Sequence, residues 1–378
     1  MTRTRPKLII FVAADWFFCS HFLARAVAAR EAGYEVLVLT NVQHHGDVIR
    51  GAGLGLIPLS ISRSSINPLG ALRTLIGIVK VYRRERPDLV HHVALKPILL
   101  GGVATRFAGC KNVINAVVGG GYVFSSVRPL ARMLRPLLKL GLRLLLNPRG
   151  SRVVFENGDD MSSFAREGLV RSTDSVLIRG AGVDAEQFLP NKTTHDLPLV
   201  VLVARLLWDK GIGEFVEAAR MLRQRGVKAR FVIVGKRDAD NRACVDAATL
   251  ETWRDEGVVE LWGFRTDIPQ VLAEATIACL PSYREGLPKS LLEAMAAQLP
   301  CVTTDVPGCR EAVRDGENGL LVPAKNASAL ANAIEHLVRN PDLAKKMGER
   351  GLERLHEEFS EKHVNEKTLM LYHEMIRQ

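Results

Sequence analysis

Continuously apolar runs rich in Val, Ile and Leu recur along the chain. In the first half they are LIIFVAA (8–14), EVLVLT (35–40), DLVHHVA (88–94), NVINAVV (112–118), RVVFEN (152–157) and SVLIRGAGV (175–183). In the second they are PLVVLVAR (198–205), RFVIVGK (230–236), VVELWGF (258–264), IACLPS (277–282), CVTTDV (301–306) and GLLVPA (319–324). Longer stretches with helical apolar spacing separate them. Strands that are apolar on both faces and alternate with helices predict parallel sheets covered by helices on each side, the α/β class.

A polar, glycine-containing interruption, GAGVDAEQFLPN (180–191) followed by TTHD, separates the two series. It predicts a domain over residues 1–190, a second over 191–360, and a last helix, 361–378, that crosses back to the first. A length of 378 residues suits two cores of ordinary size. Residues 1–14 place basic residues before an apolar run, as a signal peptide does, but the run ends at Asp15 and reads better as a first strand. No run of 18 apolar residues occurs, because Lys139 and Arg143 break the richest leucine stretch, so no spanning helix is predicted.

Charge changes this picture in one half. The net charge is +10, yet 25 Lys and Arg face 13 Asp and Glu over residues 1–190, whereas 26 face 28 over the rest. A basic N-terminal half calls for an anionic partner: nucleic acid, an anionic membrane or a phosphate-bearing substrate. Aromatic residues are 6% of the chain and are not interleaved with the basic stretches, which argues against nucleic acid. The six cysteines form no CxxC pair and read as thiols of a reducing compartment.

The densest chemical signal is SYREGLPKSLLEAMA (282–296), directly after a predicted strand. Pro288 suits a first helical position, which would leave free backbone N–H groups from Gly286 and Leu287 onward facing the strand edge as an anion site, with Pro288, which has no N–H, lining it. Glu285 and Glu293 lie eight positions apart, so one ligand could meet a carboxylate at each end, and a carboxylate accepts two sugar hydroxyls. As ordinary structure, Glu285 would favour the helix start by its charge and Glu293 would be a solvated helix residue.

The second signal is VLVARLLWDKG (201–211), which puts Arg205 and Lys210 at the C-terminal edge of a strand, where open α/β sheets bind ligands. Two fixed cations there could stabilise a departing diphosphate without a metal. The alternative is a surface pair with Asp209 worth about 1 kcal/mol at most. Asp238-Ala239-Asp240 has the DxD form of a metal-binding motif but lies in a polar loop, KRDADN, and reads as solvated. GAGLG (51–55) is only part of a dinucleotide fingerprint.

Arg205 and Lys210 in R-x4-KG, Glu285 and Glu293 in E-x7-E, the later DGENGLLVP (315–323) and GAGVDAEQF (180–188) together resemble the family-4 retaining glycosyltransferases of the GT-B fold. The resemblance covers most of the chain. It implies two Rossmann-like domains with parallel sheets facing across a cleft, and a UDP-sugar donor bound by the C-terminal domain without metal or other cofactor. In that scheme Arg205 and Lys210 hold the diphosphate, Glu285 the transferred sugar and Glu293 the ribose hydroxyls. The donor's anomeric configuration is kept through front-face attack assisted by the leaving phosphate.

In the first half DWFFCSHFLARA (15–26), HHVALKP (91–97) and VVGGGYVF (117–124) are similar to bacterial enzymes that extend polyprenyl-diphosphate-linked sugars, including those adding N-acetylgalactosamine to a bacillosamine-type first sugar. The resemblance implies a polyprenyl-diphosphate acceptor met by the N-terminal domain. His21, His92, Lys96 and Gly120 are the candidate acceptor contacts, each with an ordinary core, surface or turn role as its alternative. The family's glycine pair after the first strand is replaced by Ala13-Ala14-Asp15.

RPLARMLRPLLKLGLRLLLNPRGSR (128–152) carries seven basic residues and no acidic one. Arg128, Arg132, Arg135, Lys139 and Arg143 repeat at helical spacing beside leucines, as in an interfacial helix, while Pro136 should kink it. About 1 kcal/mol for each basic residue near an anionic leaflet makes reversible docking on the inner face of the cytoplasmic membrane the expectation. The alternatives are a capsule, O-antigen or exopolysaccharide enzyme with other substrates, and a non-catalytic nucleotide-sugar binding protein.

Overall fold

The computed structural model describes residues 5–61, 67–118, 129–188, 197–239, 241 and 243–377, without the side chains of 129–134. Its contacts divide the chain into two units. One runs to Ala181 and includes the segment from Glu361 onward; the other is Gly182–Ser360. The division falls earlier than residue 190 because Val183 bridges to Ser360 and, with Ala185 and Phe188, packs into the core of the second unit.

The first unit reads β1 (Lys7–Val12), α1 (Asp15–His21), α2 (Leu23–Glu31), β2 (Glu35–Thr40), α3 (Gly46–Gly51), β3 (Gly55–Pro58), α4 (Pro68–Glu85), β4 (Leu89–Val93), α5 (Leu95–Ala108), β5 (Val113–Val117), α6 (Pro129–Leu145), β6 (Arg152–Phe155), α7 (Gly158–Arg166) and β7 (Ser175–Leu177). Its seven strands lie in the order β3-β2-β1-β4-β5-β6-β7, all parallel. All six residues of β1 are buried, the condition for a strand covered on both faces. The short β3 is not among the predicted strands: at a sheet edge, three of its four residues are only partly buried and Pro58 is exposed.

The second unit reads β8 (Leu199–Val203), α8 (Ile212–Gln224), β9 (Arg230–Val234), α9 (Ala247–Glu256), β10 (Glu260–Gly263), α10 (Ile268–Ala273), β11 (Ile277–Leu280), α11 (Lys289–Ala296), β12 (Cys301–Thr304), α12 (Cys309–Ala312), β13 (Gly319–Val322), α13 (Ala327–Arg339) and α14 (Pro341–Arg354). Its strand order is β10-β9-β8-β11-β12-β13, again parallel throughout. Both sheets therefore reverse direction once, between β1 and β4 and between β8 and β11, and such a switch point opens a crevice at the C-terminal strand ends.

Helix α6 continues through Pro136. The lost hydrogen bond and ring clash cost about 3 kcal/mol. Leu142 and Leu146 are wholly buried against Ile98, Val153 and Phe155, and each such burial returns roughly 1.5–3 kcal/mol. The described part of the outward face carries leucines beside the basic residues expected from spacing, and Arg143 among them is exposed. Lys139 pairs with Glu167 at 2.8 Å and Arg143 donates to the Glu167 carbonyl at 3.4 Å. Leu137, Leu140 and Leu144 are 67%, 52% and 54% exposed, an apolar ridge at i, i+3 and i+7. Arg135 is partly buried, while Arg128 and the side chain of Arg132 lie outside the described residues. No helix among the described residues is long and apolar enough to cross a membrane.

The C-terminal helix (Glu361–Arg377) packs on α2 and β4 of the first unit and contributes Val364, Leu371, Tyr372 and Met375 to its core. Tyr372 is wholly buried, and its hydroxyl meets His91 Nδ1 at 2.8 Å. Burial, with Arg25 and His92 nearby, pushes the His91 pKa down to about 3, so this ring is neutral. The buried Arg25 donates to the Gly180 carbonyl and so ties α2 to the end of the unit. Replacing Tyr372 by Ala should cost about 3–5 kcal/mol through the cavity it leaves. Tyr372→Phe should cost about 1 kcal/mol, the hydrogen bond alone. Denaturant titration of both variants measures the difference, and equal losses would show that the hydrogen bond, not the ring volume, holds this helix.

Candidate functional site

The C-terminal ends of β8, β11 and β12 converge at the switch point of the second sheet. Beyond β8 a 3₁₀ turn, Trp208–Lys210, ends at Gly211 with φ of 71°. A Cβ there would lie 2.1 Å from the Pro281 carbonyl oxygen, so only glycine allows this turn to rest on the β11 loop. The Tyr283 N–H donates to the Asp209 carbonyl at 2.9 Å and fixes the contact. Gly308, after β12, has φ of 82°, and a Cβ on it would fall 2.4 Å from the Gly286 carbonyl oxygen. Two glycines thus let three loops touch.

Their meeting point is a charged pair. Lys210 Nζ lies 2.5 Å from Glu285 Oε1, and the wholly buried Ser282 donates its hydroxyl to the same oxygen at 2.5 Å. The side chains of Lys210 and Glu285 are 19% and 11% exposed, so the pair is largely shielded from solvent. Thr304 Oγ1 donates to the Ser282 carbonyl and anchors the loop from below. Burial, with Glu285 nearby, pushes the Cys309 thiol up to about 12, which leaves it neutral and inert beside the pair. Tyr283 donates to Glu214 Oε1 at 2.7 Å, and Lys325 lies over its ring at 4.9 Å.

This arrangement suits a sugar phosphate. An ammonium has three donors, so Lys210 can keep Glu285 and still bind a phosphate oxygen. Glu285 keeps its other oxygen for hydroxyls. An anion and a polyol joined to it could then lie across the pair.

The other expected donor residues are placed differently. Helix α11 starts at Lys289 with Pro288 as its cap rather than as its first residue, and no side chain caps its first turn. Leu287 is buried in the core of the second unit, which leaves only its backbone to a ligand. Gly286 contributes the carbonyl against which Gly308 packs. Glu293 pairs with Lys289 at 3.3 Å inside α11; burial raises its pKa and Lys289 opposes the rise.

Arg205 is not joined to Lys210. It donates to Asp238 Oδ2 at 2.6 Å, and the Asp238 side chain is only 16% exposed. The reading of Asp238 as a solvated loop residue is therefore wrong: it holds Arg205 in place. The approach depends on Gly235, whose Cβ would clash with the Ala204 carbonyl oxygen at 1.8 Å. Asp240 lies outside the described residues. Among the described residues no group of three His, Cys, Asp or Glu side chains is placed to hold a metal ion.

In the first unit His92 is corrected outright. It is wholly buried on β4, with Nδ1 2.8 Å from Asn115 Oδ1 and Nε2 3.0 Å from the Tyr82 hydroxyl, and burial lowers its pKa to about 4. With both nitrogens occupied it is a core histidine. His21 closes α1 and stacks on Phe17 at 4.3 Å. Lys96 sits in the first turn of α5, and Gly120 lies outside the described residues.

Asp15, read from sequence only as a departure from a glycine pair, organises the edge of this sheet. It is wholly buried and accepts the N–H groups of Gln43, His44 and His45 at 2.7–2.8 Å and that of Trp16 at 2.8 Å. Burial works against its charge, yet these bonds hold its pKa below the ordinary aspartate value. Its position as first residue of a helix after an apolar strand was the available signal.

The glycosyl transferases group 1 family matches residues 184–354 and the glycosyl transferase 4-like family residues 7–147. The chain is 29% identical, over 93% of its length and 94% of the relative's, to the N,N'-diacetylbacillosaminyl-diphospho-undecaprenol alpha-1,3-N-acetylgalactosaminyltransferase of Campylobacter jejuni. It is 27% identical, over 71% of each chain, to the UDP-Gal:alpha-D-GlcNAc-diphosphoundecaprenol alpha-1,3-galactosyltransferase of Escherichia coli. In fold it is similar to sucrose-phosphate synthase from Thermosynechococcus elongatus, with a TM-score of 0.81 and 20% identity over 99% of this chain and all of that one. Anabaena HepE in complex with UDP and glucose gives 0.78 and 17% over 98% of this chain and all of that one.

Gly308→Ala combines a left-handed φ with a clash against backbone and should destabilise the second unit by about 2 kcal/mol or more. Thermal unfolding of the variant measures this; an unchanged midpoint would mean that the β11 and β12 loops can part without loss.

Proposed function

The chain is a glycosyltransferase of GT-B fold that joins a glycosyl transferase 4-like domain to a group 1 domain, and on that premise we propose that it moves a hexose or N-acetylhexosamine, best N-acetylgalactosamine, from a UDP-sugar to a polyprenyl-diphosphate-linked saccharide with retention of configuration. The observation that carries the donor half is the Lys210–Glu285 pair fixed by Ser282 at the switch point. In this reading Lys210 and Arg205 neutralise the diphosphate as it departs, Glu285 accepts hydroxyls of the transferred sugar, and Glu293 accepts those of the ribose. The N–H groups of Gly286 and Leu287, and those of the helical turn that follows Pro288, add donors to the phosphate, while Pro288 itself, without an N–H, only lines the site.

Front-face transfer places the acceptor hydroxyl beside the leaving phosphate oxygen, which takes its proton, so the protein supplies charge and position rather than a nucleophile. Cations in the place of a metal make the reaction metal-independent. The acceptor half rests on the two relatives whose names specify undecaprenyl-diphosphate sugars.

Work on a lipid-linked acceptor calls for docking at the cytoplasmic face of the membrane. The exposed leucine ridge of α6, flanked by its basic residues, supports such contact. Insertion of the ridge adds an apolar contribution that salt does not screen, whereas the basic flank adds about 1 kcal/mol per residue that it does.

Transfer assayed in EDTA should proceed at full rate, and Lys210→Ala and Glu285→Ala should each lower kcat by about a hundredfold or more with the fold intact. Full activity in both variants, or strict dependence on added Mn²⁺, would overturn the donor-site assignment. Sedimentation with anionic vesicles should weaken with salt, with charge removal at Arg132 and Arg135, and with Leu140→Ser. Lys139→Ala should matter less because Glu167 already pairs with that lysine. Binding unaffected by all of these would exclude α6 as the docking element.

A further inference from the structure

Arg73 and Lys96 share a cavity at the C-terminal edge of the first sheet, the edge that the proposed reaction uses. A smaller cavity, of about 250 Å³, lies at the opposite edge, where α5 and α6 end and β5 and β6 begin. Its wall carries Arg106, Lys111 and Arg149, and no carboxylate is among the described residues that line it. Burial pushes the Cys110 thiol up to about 11, so that side chain adds no negative charge either.

Cations at the C-terminal ends of helices ordinarily offset the helix dipole and bond the last carbonyls. Here those carbonyls already have donors. Arg83 donates to the Phe107 carbonyl at 3.0 Å and Arg106 to that of Leu144 at 2.5 Å. Asn115 Nδ2 donates to the Leu146 carbonyl at 2.6 Å, and the Gly109 and Cys110 N–H groups turn back to the Thr105 carbonyl. Lys111 and Arg149 are exposed and have no ion-pair partner among the described residues, which leaves them without a structural task. A guanidinium carries five donors, so Arg106 keeps others for an anion.

Volume and surroundings select among anions. Pockets that enclose a whole small molecule run to roughly 300–1,000 Å³, so this cavity suits a group that enters by one end. Phe107 and Leu144 are not part of its wall; they adjoin the lining residues Arg106 and Leu145 in their helices and are 63% and 54% exposed. Leu144 closes the outward ridge that begins at Leu137. A free phosphate gains nothing from apolar side chains beside it. A glycerophospholipid in a membrane places its phosphate next to acyl chains that such side chains can enter.

The charge distribution points the same way. Residues 68–149 hold 14 of the 25 Lys and Arg of residues 1–190 and 2 of the 13 Asp and Glu. The whole basic excess of that half thus falls on the stretch that builds α4, α5 and α6, which pack side by side.

We infer that this cavity holds the phosphate of an anionic glycerophospholipid through Arg106, Lys111 and Arg149, with Phe107 and Leu144 in the acyl layer. The lipid is a docking ligand and not a substrate, because the site lies at the edge of the sheet that the reaction does not use. An α6 lying in the plane of the leaflet, about 25 Å long at 1.5 Å per residue, brings both of its ends to the membrane. The inference rests on the reading of α6 as the docking element and adds a specific lipid contact to it.

The test is calorimetric titration of the full chain with dihexanoyl phosphatidylglycerol below its micelle concentration, so that no membrane field contributes. Lys111→Gln with Arg149→Gln, which leaves the Arg106 tie between α5 and α6 in place, should weaken binding about tenfold or more. Lys80→Gln with Arg84→Gln removes the same charge from α4 and should leave binding unchanged. Wild-type affinity in the first variant, an equal loss in the second, or inorganic phosphate bound as tightly as the lipid would each overturn the inference; the last would mark a plain anion site. Sedimentation with vesicles of equimolar phosphatidylcholine and phosphatidylglycerol separates this from the docking reading beneath it. Loss of sedimentation in Leu140→Ser, with no binding of the monomeric lipid by the wild type, refutes the cavity and keeps the docking helix. Charge-dependent binding of the monomeric lipid, with sedimentation unchanged in Leu140→Ser, refutes the docking helix and keeps the cavity.

Discussion

Parallel pairing is the constraint from which the rest of the molecule follows. A strand in a parallel sheet must hand the chain to a crossover before the next strand can run the same way. Every strand therefore ends at the same edge, and every loop that leaves it there is free to carry polar side chains. In the second sheet the order β10-β9-β8-β11-β12-β13 reverses between β8 and β11, so the loops bearing Lys210 and Glu285 depart to opposite sides of one crevice. The continuous burial of strands such as β1 and β4 fixes this geometry, since neither face can be given to water.

Within that frame the charged groups meet because backbone is allowed to come close. Gly211 lies against Pro281, Gly308 against Gly286, and Gly235 against Ala204. At each point a methyl group would push two loops apart by more than the tolerance of a hydrogen bond. The Lys210–Glu285 pair and Ser282 are then held in a largely desolvated setting, where fixed dipoles and charges act without solvent having to reorganise around them, while the half-buried Arg205 is held at the edge of it by Asp238.

Much of this was legible along the chain. All six strands of the second sheet and six of the seven in the first sheet show as apolar runs; β3 escaped because a four-residue edge strand with no fully buried residue carries little apolar signal. Arg205, Lys210 and Glu285 could be picked out because their spacing from strand ends predicts their edge. His92 could not be assigned correctly: a histidine inside an apolar run reads alike whether it faces a ligand or, as here, Tyr82 and Asn115. The α6 leucine ridge was hidden for a related reason, since helical spacing groups the basic residues but does not say that Glu167 pairs with Lys139 or that the leucines beside them face outward.

The sequence by itself determined the class of fold, the two sets of strands, the helix that closes the first unit, and the chemical types at the C-terminal edge of the second sheet. These depend on local periodicity and on residues near in the chain. Tertiary structure alone decided which charges pair, that Asp15 and Asp238 organise loops rather than stand in solvent, and that Arg73 and Lys96 share a cavity. Each of those facts joins residues between 23 and 75 positions apart through hydrogen bonds, close backbone approach or shared walls, and no one-dimensional pattern encodes such distances.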